Sequence, residues 1–358
     1  MTGCGASCTL RSDKQPCEAV RMTRILTSRV LTRRRSLIGA GSLAAGLVLA
    51  PAVVSGRSAL PDKSLRIVVG FVAGGGADTV ARLMARALQR RLGRYVVVEN
   101  RPGSAGANPG ELIRTGPPDG SMVALLASNS LACKLSLKNF PYDPVTDIAP
   151  LGLAGTFPIA FAASPRLGVA TFAEYLDWLN KGDATRRRLG NTSSDAFIEV
   201  LGHAINRALN AGLQIVPYRG AAPMVNDLAD GRLPAAVTAV TSFLQHHRGG
   251  RLRLLMTSGS RPLKVAPEVP TARDLGVDGL DMQEWYGLFA PLSTPREIVD
   301  EWNRQLEAVL TDEDIVSEMA QLGLDAAPAT PEATRARLIA HLADWKIRMQ
   351  EAGMTPTS

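Results

Sequence analysis

Two short glycine turns carry the strongest chemical signal in this 358-residue chain. In Gly74-Gly75-Gly76-Ala77-Asp78, three glycines let the main chain approach a ligand closely. A helix opening there would aim unpaired N–H groups and the positive end of its dipole at an anion such as a carboxylate. The same residues also suit a plain strand-to-helix turn with Asp78 as the N-cap. A phosphate loop is excluded, because no Lys-Ser/Thr follows, and the glycine spacing of a dinucleotide site is absent. Tyr218-Arg219-Gly220-Ala221 repeats the arrangement between a strand and a helix, and Arg219 either pairs with a carboxylate or lies in solvent.

Three polar clusters are weaker candidates. Ser128-Asn129-Ser130 follows a strand at its carboxyl end, where open α/β sheets bind ligands. Asn191-Thr192-Ser193-Ser194 precedes a helix expected from Asp195, and its small polar side chains serve a ligand or cap that helix. Asn100-Arg101-Pro102-Gly103 reads as a structural turn with a surface arginine. The chain holds four histidines, His203, His246, His247 and His341, none within a nucleophile-elbow or metal-ligand pattern. His203 and His341 fall in helical stretches as packing or surface residues, and His246-His247 beside Arg248 suits a solvated helix end.

The elements that must position these groups alternate. Leu65 to Phe71 reads as a buried strand; after the glycines, Val80, Leu83, Met84, Ala87, Leu88 and Leu92 recur at helical spacing. Strands follow at Tyr95 to Glu99, Met122 to Ala127, Leu153 to Ala162, Leu213 to Val216, Leu233 to Val240, Leu252 to Thr257 and Trp285 to Ala290. Thr171-Phe172-Ala173-Glu174 is a capping-box pattern opening a helix through Leu179. Thr294-Pro295 and Thr330-Pro331 each put Thr at a cap and Pro at the first helical position. Strands alternating with helices predict a parallel-rich α/β architecture.

The leader and the charge narrow the setting. Thr32-Arg33-Arg34-Arg35-Ser36-Leu37, followed by the weakly apolar Ile38 to Val54, reads as a removable export signal similar to the twin-arginine type. A membrane anchor is the rival, but Gly39, Gly41, Ser42, Gly46 and Pro51 dilute the run. Cleavage fits near Ala50-Pro51-Ala52 or Val53-Val54-Ser55, and Met22 is a candidate start. Residues 1–57 hold nine basic and two acidic residues, which leaves 31 of each sign beyond them, so the net charge of +7 is no nucleic-acid footprint. The Arg186-Arg187-Arg188 run reads as a solvated loop. Three of the four cysteines lie ahead of Met22; Cys133 alone supports neither a disulfide framework nor a zinc site. No later apolar run is long enough to span a bilayer, which predicts a soluble mature protein.

Gly74 to Asp78 with Ala81-Arg82, Val97 to Gly103, Pro118-Asp119-Gly120, Tyr142-Asp143-Pro144, Val216 to Pro223, Val269-Pro270-Thr271, Trp285 to Leu288 and Ala290-Pro291 follow one another in unbroken order between Leu65 and Gly353. By these strings the chain resembles the Bug-type extracytoplasmic receptors associated with tripartite tricarboxylate transport. The resemblance implies an α/β, two-domain periplasmic-binding-protein (type II-like) fold with an interdomain ligand cleft. The implied domains are residues 58–161 with 285–358, and residues 162–284, after an extension and signal peptide over 1–57.

Family members place the ligand against the first glycine turn, which implicates Phe71, Ala73, Gly74, Gly75 and Asp78. Relatives carry a Ser/Gly-rich loop and then a His at about Glu199; here those glycines and that His are missing. A family acid is replaced by Thr238, and Ala107-Asn108-Pro109 stands where relatives have Asn-Ile-Gly. The expected role is capture of a small organic acid for uptake or sensing, by a periplasmic monomer serving transporter components or a sensor. No nucleic acid, metal or cofactor is expected. The alternative is a periplasmic enzyme using the same cleft.

Overall fold

A computed structural model describes residues 58–192, 195–280 and 282–355. The basic and apolar leader read above as an export signal lies outside them, as do Ser193 and Ser194. In chain order the elements are β1 (Leu65–Val69), α1 (Gly76–Leu92), β2 (Val96–Asn100), α2 (Asn108–Arg114), β3 (Met122–Ala127), α3 (Ser128–Ala132) and β4 (Ile148–Ala163). Next come α4 (Phe172–Asn180), β5 (Arg188–Asn191), α5 (Asp195–Leu209), β6 (Gln214–Pro217), α6 (Ala221–Asp230), β7 (Ala235–Ala239) and α7 (Leu244–Arg248). The chain closes with β8 (Arg253–Thr257), β9 (Gln283–Pro291), α8 (Arg296–Leu310), α9 (Glu313–Gln321) and α10 (Pro331–Glu351).

The sheet order is β2-β1-β3-β9-β4-β7-β5-β6, with β8 pairing the end of β4 on the edge opposite β7. It is not parallel-rich throughout. β1 pairs β2 and β3 in parallel, and β5 pairs β6 and β7 in parallel, but β9 and β4 between these wings run antiparallel to their neighbours. The cause is β4, which is 16 residues long and buried along its whole length. Its first part, to Pro158, pairs β9, and its last part, from Ile159, pairs β7 and β8. One strand thus belongs to both wings. Register shifts accompany Gly152 and Gly155, where β4 bends against its neighbours. Gly155 has φ of 145°, a conformation that L side chains rarely adopt, so the bend favours glycine there.

α1 forms as its spacing predicts: Val80, Leu83, Met84, Ala87 and Leu88 are buried against the first wing. Each large apolar side chain so buried contributes about 1.5–3 kcal/mol, more than any cap at the helix end. In the second wing, Phe161, Tyr175, Leu189 and Val237 share one apolar cluster. α10 joins the two, placing Leu338 in a cluster with Trp285 and Phe289 and placing Trp345 and Met349 in the cluster of the second wing.

Some local readings are corrected. Arg186 to Arg188 is no solvated loop: Arg186 stacks 4.6 Å over Trp178, Arg187 donates to Ala211 O, and Arg188 opens β5. Thr330 caps α10 as expected, accepting from Ala333 N at 3.1 Å, but α8 starts at Arg296 with Pro295 at its cap. Pro295 holds ψ at 144°, outside the helical range.

Candidate functional site

Between the wings lies a cavity of about 550 Å3, within the range of small-molecule sites. Loops at the carboxyl ends of β1, β2, β3, β5, β6 and β7 surround it, and β4 and β9 form its floor through Phe157, Ile159, Glu284 and Tyr286. Phe157 and Tyr286 stack with ring centres 4.5 Å apart, which makes this floor flat and apolar.

The first glycine turn is built from inside. Gly74 has φ of 82° and Gly75 is extended, so the chain turns sharply into α1. Asp78 is not the N-cap; Gly75 is. From the first turn of α1 the Asp78 carboxylate reaches back to accept Gly74 N–H at 2.9 Å, Arg82 Nε at 2.9 Å and Asn100 Nδ2 at 3.0 Å. Asn100 Nδ2 also donates to Phe71 O at 3.0 Å. Burial opposes the charge on Asp78, yet the donors from Arg82, Gly74 and Asn100 hold its carboxyl below the usual range. Its oxygens are spent on the turn, which leaves Gly76 and Ala77, both lining the cavity, to offer main-chain donors from the start of α1.

From the other wing, Gly220 caps α6 with φ of 110°. Pro223 has no N–H, so Ala221 and Ala222 supply the free donors of that first turn. A Cβ on Gly220 would stand 3.0 Å from Val72 Cγ2, so the two turns nearly touch across the cavity. Tyr218 OH donates to Asp227 at 2.8 Å. Burial and the Asp227 carboxylate push the phenol up to about 12, so the ring is neutral and fixed. Arg219 is exposed, lines the cavity and makes no hydrogen bond or ion pair with any described residue. Thr192 Oγ1 and Thr238 Oγ1 lie 2.7 Å apart, sharing one hydrogen bond and leaving one hydroxyl proton for a ligand.

Of the residues singled out in the sequence, Phe71, Gly75, Asn129, Thr192, Tyr218, Arg219, Gly220, Ala221 and Thr238 come together on this cavity. Ala73 and Gly74 sit on the exposed crest of the turn, and Asp78, Ser128 and Asn191 are buried behind the wall. Sequence reasoning missed Val72, Phe157, Ile159, Glu284 and Tyr286, and Pro102 and Gly103 line the cavity although they read as a mere turn. A signal for Glu284 existed: it is the one charge at the head of the apolar run Trp285 to Pro291.

Behind the wall, Ser128 Oγ donates to Glu284 Oε2 and accepts Trp285 N–H at 3.0 Å, while His341 Nε2 lies 3.9 Å from the same carboxylate oxygen. A catalytic triad places the imidazole between hydroxyl and acid. Here the acid stands between them, and Ser128 is fully buried. Among the described residues no group of three or more His, Cys, Asp or Glu is placed to hold a metal, and no helix is long and apolar enough to cross a membrane.

A bent sheet with two βα wings around one cleft is the type II-like periplasmic-binding-protein fold, the architecture of an extracytoplasmic solute-binding receptor. The chain belongs to the tripartite tricarboxylate transporter family receptors, whose sequence profile matches residues 80–353. A protein encoded in the tcbD-tcbE intergenic region of Pseudomonas sp. strain P51 is 32% identical over 305 residues, 82% of this chain and 89% of that protein. The periplasmic binding protein BugD superposes with a TM-score of 0.76 at 29% identity, over 82% of this chain and 99% of BugD. An R. palustris protein with adipate shares the fold with a TM-score of 0.77 at 24% identity, over 83% of this chain and 99% of its own.

Proposed function

We propose that this receptor captures a small carboxylate between two domains, residues 58–161 with 285–358 and residues 162–284, outside the cytoplasm. The observation that carries this reading is the opposition of two helix N-termini, α1 at Gly76 and α6 at Ala221, across one cavity. Main-chain N–H groups and helix dipoles bind a carboxylate without a buried cation. The adipate held by the R. palustris protein of the same fold supports that choice of ligand class. β4 and β9 are the segments about which the domains close, and the chain delivers its ligand to membrane transporter components after export through its leader.

The ligand leaves unchanged. Ser128 is sealed from the cavity and bonded to an acid rather than a base, which supports binding without turnover. Native mass spectrometry of the purified protein, followed by calorimetry with C4 to C6 di- and tricarboxylates, tests the reading. A bound acid recovered intact is the expected result. A stoichiometric neutral or cationic ligand, or conversion of the acid at catalytic rates, would overturn it.

A further inference from the structure

Glu284 is the only acidic side chain on the wall of the cavity among the described residues, and it is 3% exposed. Its Oε2 is engaged by Ser128 Oγ. Its Oε1 has no hydrogen-bond partner among the described residues. Among the described residues no cation pairs closely with it, although the Arg337 charge acts on it at longer range: burial pushes the His341 imidazole down, so the ring beside it is uncharged at neutral pH. Arg337, the other basic group nearby, donates to Gln283 Oε1 at 3.5 Å and forms no ion pair with Glu284.

A carboxylate oxygen facing an apolar cleft becomes costly when a ligand displaces its water without supplying a donor. A ligand that set a second carboxylate there would add like-charge repulsion in a medium that screens poorly. A hydroxyl or ammonium would supply the missing proton. The neighbouring wall does not: Phe157 and Ile159 present only a ring and methyl groups, and the Tyr286 hydroxyl interacts with Thr241 instead.

We propose that Glu284 selects, among the carboxylates taken by this cleft, those that also carry a hydrogen-bond donor able to reach its Oε1 while the ligand carboxylate rests on the α1 and α6 termini. The proposal rests on the carboxylate reading above. It names the ligand class as hydroxy or amino acids in preference to plain di-acids.

Calorimetry on the wild-type protein with two matched series provides the test: succinate, malate and aspartate, then adipate, 2-hydroxyadipate and 2-aminoadipate. In at least one series the donor-bearing acids bind roughly ten- to hundredfold more tightly than the unsubstituted one. The hydroxyl and ammonium arms identify which donor is read. In Glu284→Gln, checked for an unchanged fold by circular dichroism, that ratio falls below about threefold and the plain di-acid gains affinity. Equal affinities within both series, or a ratio that survives Glu284→Gln, would overturn the selection by Glu284 and leave the carboxylate reading standing. Absence of binding by every acid in folded wild-type protein would overturn both, and the wild-type comparison needs no variant to fold.

Discussion

Asn100 Nδ2 donates to Asp78 Oδ1 at 3.0 Å and to Phe71 O at 3.0 Å, so one amide at the end of β2 braces both sides of the β1–α1 turn. The wall that faces the ligand is therefore held by residues the ligand never meets.

Removal of that brace is a stability experiment before it is a binding one. Asp78→Ala leaves Gly74 N–H and Asn100 Nδ2 short of an acceptor and costs about 2–3 kcal/mol, read as a lower urea midpoint at constant slope. Asp78→Ala combined with Asn100→Ala costs less than the sum of the single changes, since both act on one bond. Strict additivity would refute the brace.

The neighbouring glycines should separate binding from folding. Gly75 is extended and a Cβ there meets only Val72 O at 3.5 Å, so Gly75→Val folds, loses about 1 kcal/mol and weakens ligand binding tenfold or more. Gly74 has φ of 82° with nothing within 4 Å of a Cβ. Gly74→Ala therefore costs about 1–2 kcal/mol of stability and leaves the affinity of the folded protein unchanged. The reverse pattern would remove the turn from the site.

Arg219 is free of structural duties. Arg219→Ala shifts stability by no more than about 0.5 kcal/mol but lowers affinity for a carboxylate and flattens its dependence on salt. Titration calorimetry at low and high ionic strength reads both effects. Unaltered affinity at low salt would place Arg219 in solvent only.

Acid should weaken the fold through Asp78. Its folded pKa lies below the ordinary aspartate value of 3.8, so its stabilisation is complete above the unfolded pKa and is lost as pH falls through the folded one. Asp119, held down to about 2 despite burial by Lys63 and Ser121, behaves alike. Asp78→Asn flattens part of the slope of unfolding free energy below about pH 4. A slope identical to the wild type would assign the acid sensitivity elsewhere.

His341 acts at higher pH and through charging. Its folded pKa is below 6.5, chiefly by burial, so the unfolded chain takes up the proton first and stability falls as pH drops through about 6.5. The loss levels off below the folded pKa. In His341→Phe, which keeps a ring beside Trp285 and Trp345, the decline between pH 7 and pH 5 shrinks, the remainder falling to His246, whose pKa is also lowered by burial and by Arg251. An undiminished decline would implicate another group.

What the chain revealed by itself was local. The apolar spacing of Val80 to Leu88 specified α1, because a 3.6-residue period needs no partner to be read. Thr330-Pro331 specified the start of α10, and the glycines at 74–76 and 220 marked the two turns that reach the cavity, because caps and positive φ act within a few residues. The order of the motifs named the family.

Tertiary structure decided the rest. Asp78 was read as a cap, but with α1 beginning at Gly76 its carboxylate turned inward, where Asn100, 22 positions away, could reach it. β4 was expected to start at Leu153, yet β9 recruits it from Ile148 and bends it into both wings. Glu284 stood out only as a lone charge before an apolar run; which side it faces was decided by the fold, because a strand residue points to whichever side its neighbours leave, and those neighbours, Ser128 and His341, lie 156 and 57 positions away. Periodicity and turn chemistry are set by adjacent residues, whereas the wall of a cleft is made by strand pairing and burial, which only the folded chain brings about.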